Sequence, residues 1–395
     1  MKKRVFSYLI VALCSALLTG SVAWIAATVK TTERYASFVD LQQVKTVIEE
    51  NSVYEFPEET AQKNAIYGYL SALEEDRYTE YWTREEYEAY LEETQGKFSG
   101  LGLVVQSEST VTEGLFVYRV LLHSPAERAG IQVGDLITAV NGSDADGRAY
   151  SEVFNELAAG EEGQTVDLQI KRENNVFSVA LQYENFVQSY VSSRIIDDVG
   201  FIRIYSFMPS AYKEFNEALD SVLKEDPCGI VIDLRNNLGG SLDAVRDILN
   251  LLIPKDEMVV LQYKNSEEVI YSNGLRKTEL PIAVLINQDS ASASELMASC
   301  LRDVVGAPLI GVTSYGKGIG QTTFTLQDGS AVKLTTFYYL TKGRNNYHGV
   351  GLHPDYEVTL TDEESRYFYR LTEADDPQLQ KAISVLHGEN ERNNH

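Results

Sequence analysis

Basic residues are scarce in this chain. Its 34 lysines and arginines face 58 aspartates and glutamates, a formal net charge of −24 over 395 residues. That balance argues against nucleic acid, whose phosphates are bound by Lys and Arg, and against electrostatic attachment to anionic lipid surfaces. It is read instead as solubilising charge. Cysteine is scarce too. Of three, Cys14 lies in the N-terminal leader, and Cys228 and Cys300 stand in apolar company. No CxxC pair and no metal-ligand spacing occur, so both are read as buried thiols without a disulfide, and no metal or other cofactor is expected. Charge is absent altogether from Val5 to Val29, a run long enough to cross a bilayer. Lys2, Lys3 and Arg4 before it should stay cytoplasmic. Ser21-Val22-Ala23 offers a small-x-small cleavage point, but the apolar run continues through Trp24 and Ile25. A single-pass signal anchor in the cell membrane is therefore expected, with the bulk of the chain extracytoplasmic.

The length allows two to three domains. With 44% hydrophobic and 23% charged residues the composition is that of an ordinary globular protein. Residues 31–95 read as helical. Phe38, Leu41, Val44 and Ile48 share one face, and Ala61, Ala65, Ile66, Tyr69, Leu70 and Leu73 share another. From Gly96 short β runs take over. After Asn185 strands and amphipathic helices alternate. Gly229 to Leu234 is a continuous apolar run, as in a sheet covered on both faces, and it leads into Arg235-Asn236-Asn237-Leu238-Gly239-Gly240. A last helix starts at Asp376-Pro377, and the polar tail after Gly388 is expected to be disordered.

Chemistry concentrates between Asn287 and Gln321. The apolar run Ile282 to Ile286 reads as a buried strand, followed by a polar turn, small residues and a helix beginning near Glu295. A serine in such a tight strand-to-helix connection can hold its hydroxyl in a cleft toward which helix N-terminal amides also point. Further on, Lys317 stands between Gly316 and Gly318. A desolvated lysine loses proton affinity, and its neutral amine can take the proton of a serine hydroxyl. Other readings exist. The serines could be a helix N-cap packed on a sheet. Gly311 to Lys317 has phosphate-loop spacing, but Gly318 stands where that loop needs Ser or Thr. His348 or His353 could complete a Ser-His-Asp set.

The run Ser290-Ala291-Ser292-Ala293-Ser294-Glu295, with Tyr315-Gly316-Lys317-Gly318 and Gln321, resembles the C-terminal processing peptidases, or tail-specific proteases. The resemblance implies Ser292 as nucleophile, Lys317 as general base and Gln321 as support for the lysine. Asp233-Leu234-Arg235-Asn236-Asn237, followed by Gly239-Gly240, is similar to another motif of that family. It implies an oxyanion hole from the N–H groups of Gly239 and Ala293.

Phe98 to Val105, Ser124-Pro125-Ala126 to Gly130, Gly134 to Ile137 and Val140-Asn141-Gly142 resemble a PDZ domain. There Gly100, Leu101, Gly102 and Leu103 would hold a peptide C-terminal carboxylate on backbone N–H groups, and the helix from Tyr150 to Leu157 would line the groove. Arg172 is read as a link from this domain to the protease.

The fold class implied is multidomain α/β: anchor 1–30, helical segment 31–95, PDZ domain 96–185 (a small β-sandwich or barrel with helices), ClpP/crotonase-like protease core 186–360, and C-terminal helix and tail 361–395. The implied function is a membrane-anchored serine endopeptidase recruited or gated by substrates with apolar C-terminal tails, with homodimers through the terminal helices. The alternative is a catalytically silent PDZ scaffold that binds peptides.

Overall fold

The computed structural model describes residues 38–94, 97–106 and 111–393. Cys14 and the expected anchor over residues 5–29 lie outside the described residues. Within them no helix is long and apolar enough to cross a membrane. The chain divides into two compact units between Glu75 and Asp76.

In the first unit, helices over 38–51 and Glu58–Ser71 are joined by stacking of Phe38 on Tyr69, with ring centroids 5.5 Å apart. None of its described side chains is buried. Phe38, Leu41 and Val44, the apolar face read from the sequence, are exposed.

The helical reading does not hold through residue 95. Glu80–Trp82 is a strand that pairs antiparallel with the long strand Ala331–Leu340, Tyr81 facing Val332. Adjacent aromatics suit a pleated surface better than a helix. Trp82 also stacks on Tyr90, 4.6 Å away, from the following helix Arg84–Thr94.

After this strand and helix the second unit forms a small β domain. Its sheet runs in the order Asn175–Gln182, Thr165–Arg172, Leu136–Val140, Leu115–Val120, Leu103–Gln106. Alternation along Thr165–Arg172 places Val166, Leu168 and Ile170 inward. They meet Val153 and Leu157 of the helix Tyr150–Ala158.

The larger domain is built on a six-stranded sheet. Its order is Val191–Ile196, Val199–Ile204, Gly229–Asp233, Ile282–Ile286, Leu309–Gly311, Tyr356–Glu357, parallel from the second strand onward. Gly229–Asp233 and Ile282–Ile286 are buried at every position. Ile230, Ile232, Val284 and Ile286 pack with the helices Ala211–Leu223, Leu242–Leu249 and Ala293–Val305. Val231, Ala283 and Leu285 pack with Leu379, Ala382, Ile383 and Leu386 of the final helix, Pro377–Asn393. That helix is thus a layer of the core, and it runs past Gly388, where the sequence suggested a disordered tail. Cys300 is buried as expected, whereas Cys228 is only half-buried at the edge of the sheet; neither is in a disulfide.

The loops after Asp233 and Ile286 leave the carboxyl ends of adjacent parallel strands. Open α/β sheets carry their sites at that edge.

Candidate active site

Three serines leave the strand Ile282–Ile286, and their surroundings differ. Ser290 Oγ donates to Leu234 O at 2.8 Å, and Ser294 Oγ donates to Asn237 O at 2.8 Å. Both are fully buried and bind the turn to the Asn236-Asn237 loop. Ser292 alone remains partly exposed. Its φ of 56° and ψ of −114° put it in sparsely populated backbone space at the start of the helix Ala293–Val305. Ala293 is therefore the first helical residue, where N–H groups have no partner inside the helix.

Glu295 holds the site together. Its buried Oε2 accepts N–H bonds from Ser292 at 3.0 Å and Lys317 at 2.7 Å. Its Oε1 accepts from Gly316 N–H at 2.7 Å and from Ser314 Oγ at 2.5 Å. One carboxylate thus sets the serine turn beside the lysine loop. Burial pushes its proton affinity up, and these four hydrogen bonds oppose the rise. The motif resemblance implies no role for Glu295, although Ser292-x-x-Glu295 has the spacing of a capping box. Glu295→Gln keeps the size but presents a donor where two N–H groups need an acceptor. It is expected to lower the catalytic rate by about 100-fold with the fold retained, since hydrogen bonds to charge are worth about 1.5–3 kcal/mol each. Parallel rate and circular-dichroism measurements check this.

Burial lowers the proton affinity of the Lys317 amine, and Lys333 lowers it further, against the pull of Glu80 and Asp76. Its Nζ lies over the Tyr78 ring, 4.2 Å from the centroid. Among the described residues no hydrogen bond joins it to Ser292 Oγ. Gln321 Nε2 donates to Thr335 Oγ1 at 3.1 Å, and Thr335 Oγ1 donates to Asp76 Oδ1 at 3.0 Å. A bulge between Gly320 and Gln321 sets Gln321 opposite Thr335.

Gly239 lies against the serine. A Cβ there would come within 2.9 Å of Ser292 Cβ and 2.8 Å of Ala291 O, and its φ is +106°. Its N–H, however, donates to Asn237 Oδ1 at 2.9 Å instead of pointing into the cleft. Neither His348 nor His353 bonds to Ser292; His353 Nδ1 lies 3.1 Å from Thr313 Oγ1.

In the β domain, Gly100, Leu101, Gly102 and Leu103 line a cavity of about 320 Å³ together with Phe154, Leu157 and Phe186. Leu103–Gln106 is the edge strand of its sheet among the described residues, so its outer side can accept another strand. Among the described residues Arg172 makes its hydrogen bonds within the β domain. It satisfies the buried Asp135, Nε to Oδ1 at 2.6 Å and Nη2 to Oδ2 at 2.7 Å. The link that sequence reasoning missed is Tyr118, whose Oη accepts from Asn236 Nδ2 at 3.2 Å. Asn236 is tied in turn to Asn287, with bonds of 2.7 and 2.9 Å.

Residues 198–358 match the model of peptidase family S41, and residues 116–172 match that of the PDZ domain. The chain carries a peptidase family S41 domain and a PDZ domain. It is 34% identical over 298 residues to a "Probable CtpA-like serine protease" of Staphylococcus haemolyticus (strain JCSC1435), covering 74% of this chain and 59% of that one. To the protein of the same name from Staphylococcus aureus (strain bovine RF122 / ET3-1) it is 35% identical over 300 residues, covering 75% and 60%. The chain thus spans about 60% of the length of these curated relatives. A solved S41-type structure from Bacteroides fragilis NCTC 9343 shares the fold, with a TM-score of 0.62 at 19% identity, covering 86% of this chain and 92% of that one. The S41 match spans the five parallel strands from Val199–Ile204 onward, the Asn236-Asn237 loop, Ser292 and Lys317 together.

Proposed function

We propose that the protein is a serine endopeptidase in which Ser292 is the nucleophile and Lys317 its general base. The observation that supports this reading is the Glu295 carboxylate, which accepts the backbone N–H groups of both Ser292 and Lys317. In the reaction the Lys317 amine leaves the face of Tyr78, takes the Ser292 proton as the hydroxyl attacks the scissile carbonyl, and returns it to the departing amine. Ala293 N–H stabilises the oxyanion. Gly239 N–H joins it once Asn237 Oδ1 releases it. Gln321 acts through Thr335 and Asp76, whose charge faces the lysine.

The β domain recruits substrates by their apolar C-terminal tails. The tail adds as a strand beside Leu103–Gln106, its side chains entering the cavity under Phe154. Phe154→Ala is expected to weaken binding of an apolar C-terminal peptide about tenfold, as fluorescence anisotropy would register. We further propose a single-pass anchor over residues 5–29 with the peptidase extracytoplasmic, and pairing of two copies through the exposed face of Phe38, Leu41 and Val44.

Incubating the full chain with unfolded casein tests the main reading. Internal fragments identified by mass spectrometry are the expected result. Intact casein, with apolar tail peptides also present, would favour a peptide-binding scaffold instead.

A further inference from the structure

The far edge of the core sheet holds a second constellation. Asp198 sits in the tight turn between the antiparallel strands Val191–Ile196 and Val199–Ile204. Cys228 directly precedes the neighbouring strand Gly229–Asp233, and its N–H donates to Asp198 O at 2.7 Å. His387 belongs to the final helix, next to Leu386, which packs over Gly229: a Cβ on that glycine would meet it at 3.1 Å. His387 Nε2 lies 2.7 Å from Asp198 Oδ1. The thiol sulfur, the imidazole nitrogen and the carboxylate oxygen all lie within 4.8 Å of one another.

We propose that Asp198, Cys228 and His387 form a binding site for a zinc-like divalent transition-metal ion. The donor set selects the class of ion. Thiolate and imidazole suit zinc and its neighbours, whereas calcium and magnesium take oxygen ligands. Tetrahedral zinc holds such atoms at about 2.0–2.3 Å, so ligand atoms around it stand roughly 3.5 Å apart. To surround an ion the carboxylate and imidazole, now 2.7 Å apart, would part slightly and the thiol would draw in, shifts of about 1 Å for side chains of which two are exposed. Solvent would supply the fourth ligand.

The three residues come from three separate elements, and an exposed Asp–His pair on its own contributes little. A bound ion would clasp the final helix to the first two parallel strands. The site lies at the amino ends of those strands, the edge opposite Ser292, so its role is structural.

The test uses the untagged full chain, stripped with chelator and titrated with Co²⁺. The expected result is a thiolate-to-cobalt charge-transfer band that saturates at one ion per chain and is displaced by Zn²⁺, with Zn²⁺ raising Tm. Cys228→Ser should abolish the band, and His387→Gln and Asp198→Asn should each weaken binding at least about tenfold. No band at all, a band that survives Cys228→Ser, or binding unchanged in both His387→Gln and Asp198→Asn would overturn the proposal.

Discussion

Ser292→Ala is expected to reduce casein cleavage by about 10⁴-fold or more, and Lys317→Ala by a similar factor. The double variant should lose no more than either single one, because a nucleophile and its base act as a unit. Lys317→Arg separates charge from chemistry. A guanidinium keeps the positive charge but does not deprotonate in proteins, so this variant should be as inactive as Lys317→Ala. Substantial activity in Lys317→Arg would mean that the residue serves only as a cation. None of these changes should disturb the fold, because the Lys317 side chain is only half-buried and the bond to Glu295 is made by its backbone N–H.

Arg235→Met should be the most damaging change to stability. Arg235 is fully buried and makes Nε and Nη2 bonds to Asp233 at 2.9 and 2.8 Å. It also makes Nη1 and Nη2 bonds to Asp376 at 2.9 and 2.7 Å and an Nη1 bond to Gln378 Oε1 at 2.9 Å. Burial pushes the Asp233 carboxyl up, but Arg203 and Arg235 outweigh it and hold the group well below the usual carboxylate range. Removing one partner of a buried pair leaves the other charge uncompensated, at a cost of about 3–5 kcal/mol. The methionine leaves Arg203 with Asp233, but it takes from Asp376 the only ion pair it makes among the described residues. The start of the final helix should then loosen from the sheet. Denaturant unfolding measures the loss; a change below 1 kcal/mol would contradict this assignment.

Much of this architecture was legible in the sequence. The uniform apolar runs Gly229–Asp233 and Ile282–Ile286 are central parallel strands, and the glycine-rich segment from Phe98 lies in a small β domain beside an edge strand. Ser292 and Lys317 stood out because unusual backbone demands leave local marks: small residues around a tight turn, glycines around a lysine. What was missed depends on contacts between distant segments. Nothing near Trp82 announces that its strand pairs with Ala331. The register that sets Gln321 opposite Thr335 comes from pairing with another strand. Arg172 is claimed by Asp135, a residue 37 positions earlier that is buried and needs a counter-charge. Glu295 is the intermediate case. Its capping spacing was visible, but its hold on Gly316 and Lys317 depends on how two loops meet.

The pH dependence of Ser292 phosphonylation by a serine-directed fluorophosphonate, with fluoride as leaving group, tests the central claim most directly. If Lys317 is the base, labelling should map to Ser292 alone. Its rate should climb as the ammonium deprotonates and level off above a midpoint below the ordinary lysine value of about 10.5, because burial depresses the amine. In Lys317→Ala that limb should vanish. Labelling of another residue, or an unchanged rate and profile in Lys317→Ala, would contradict the account.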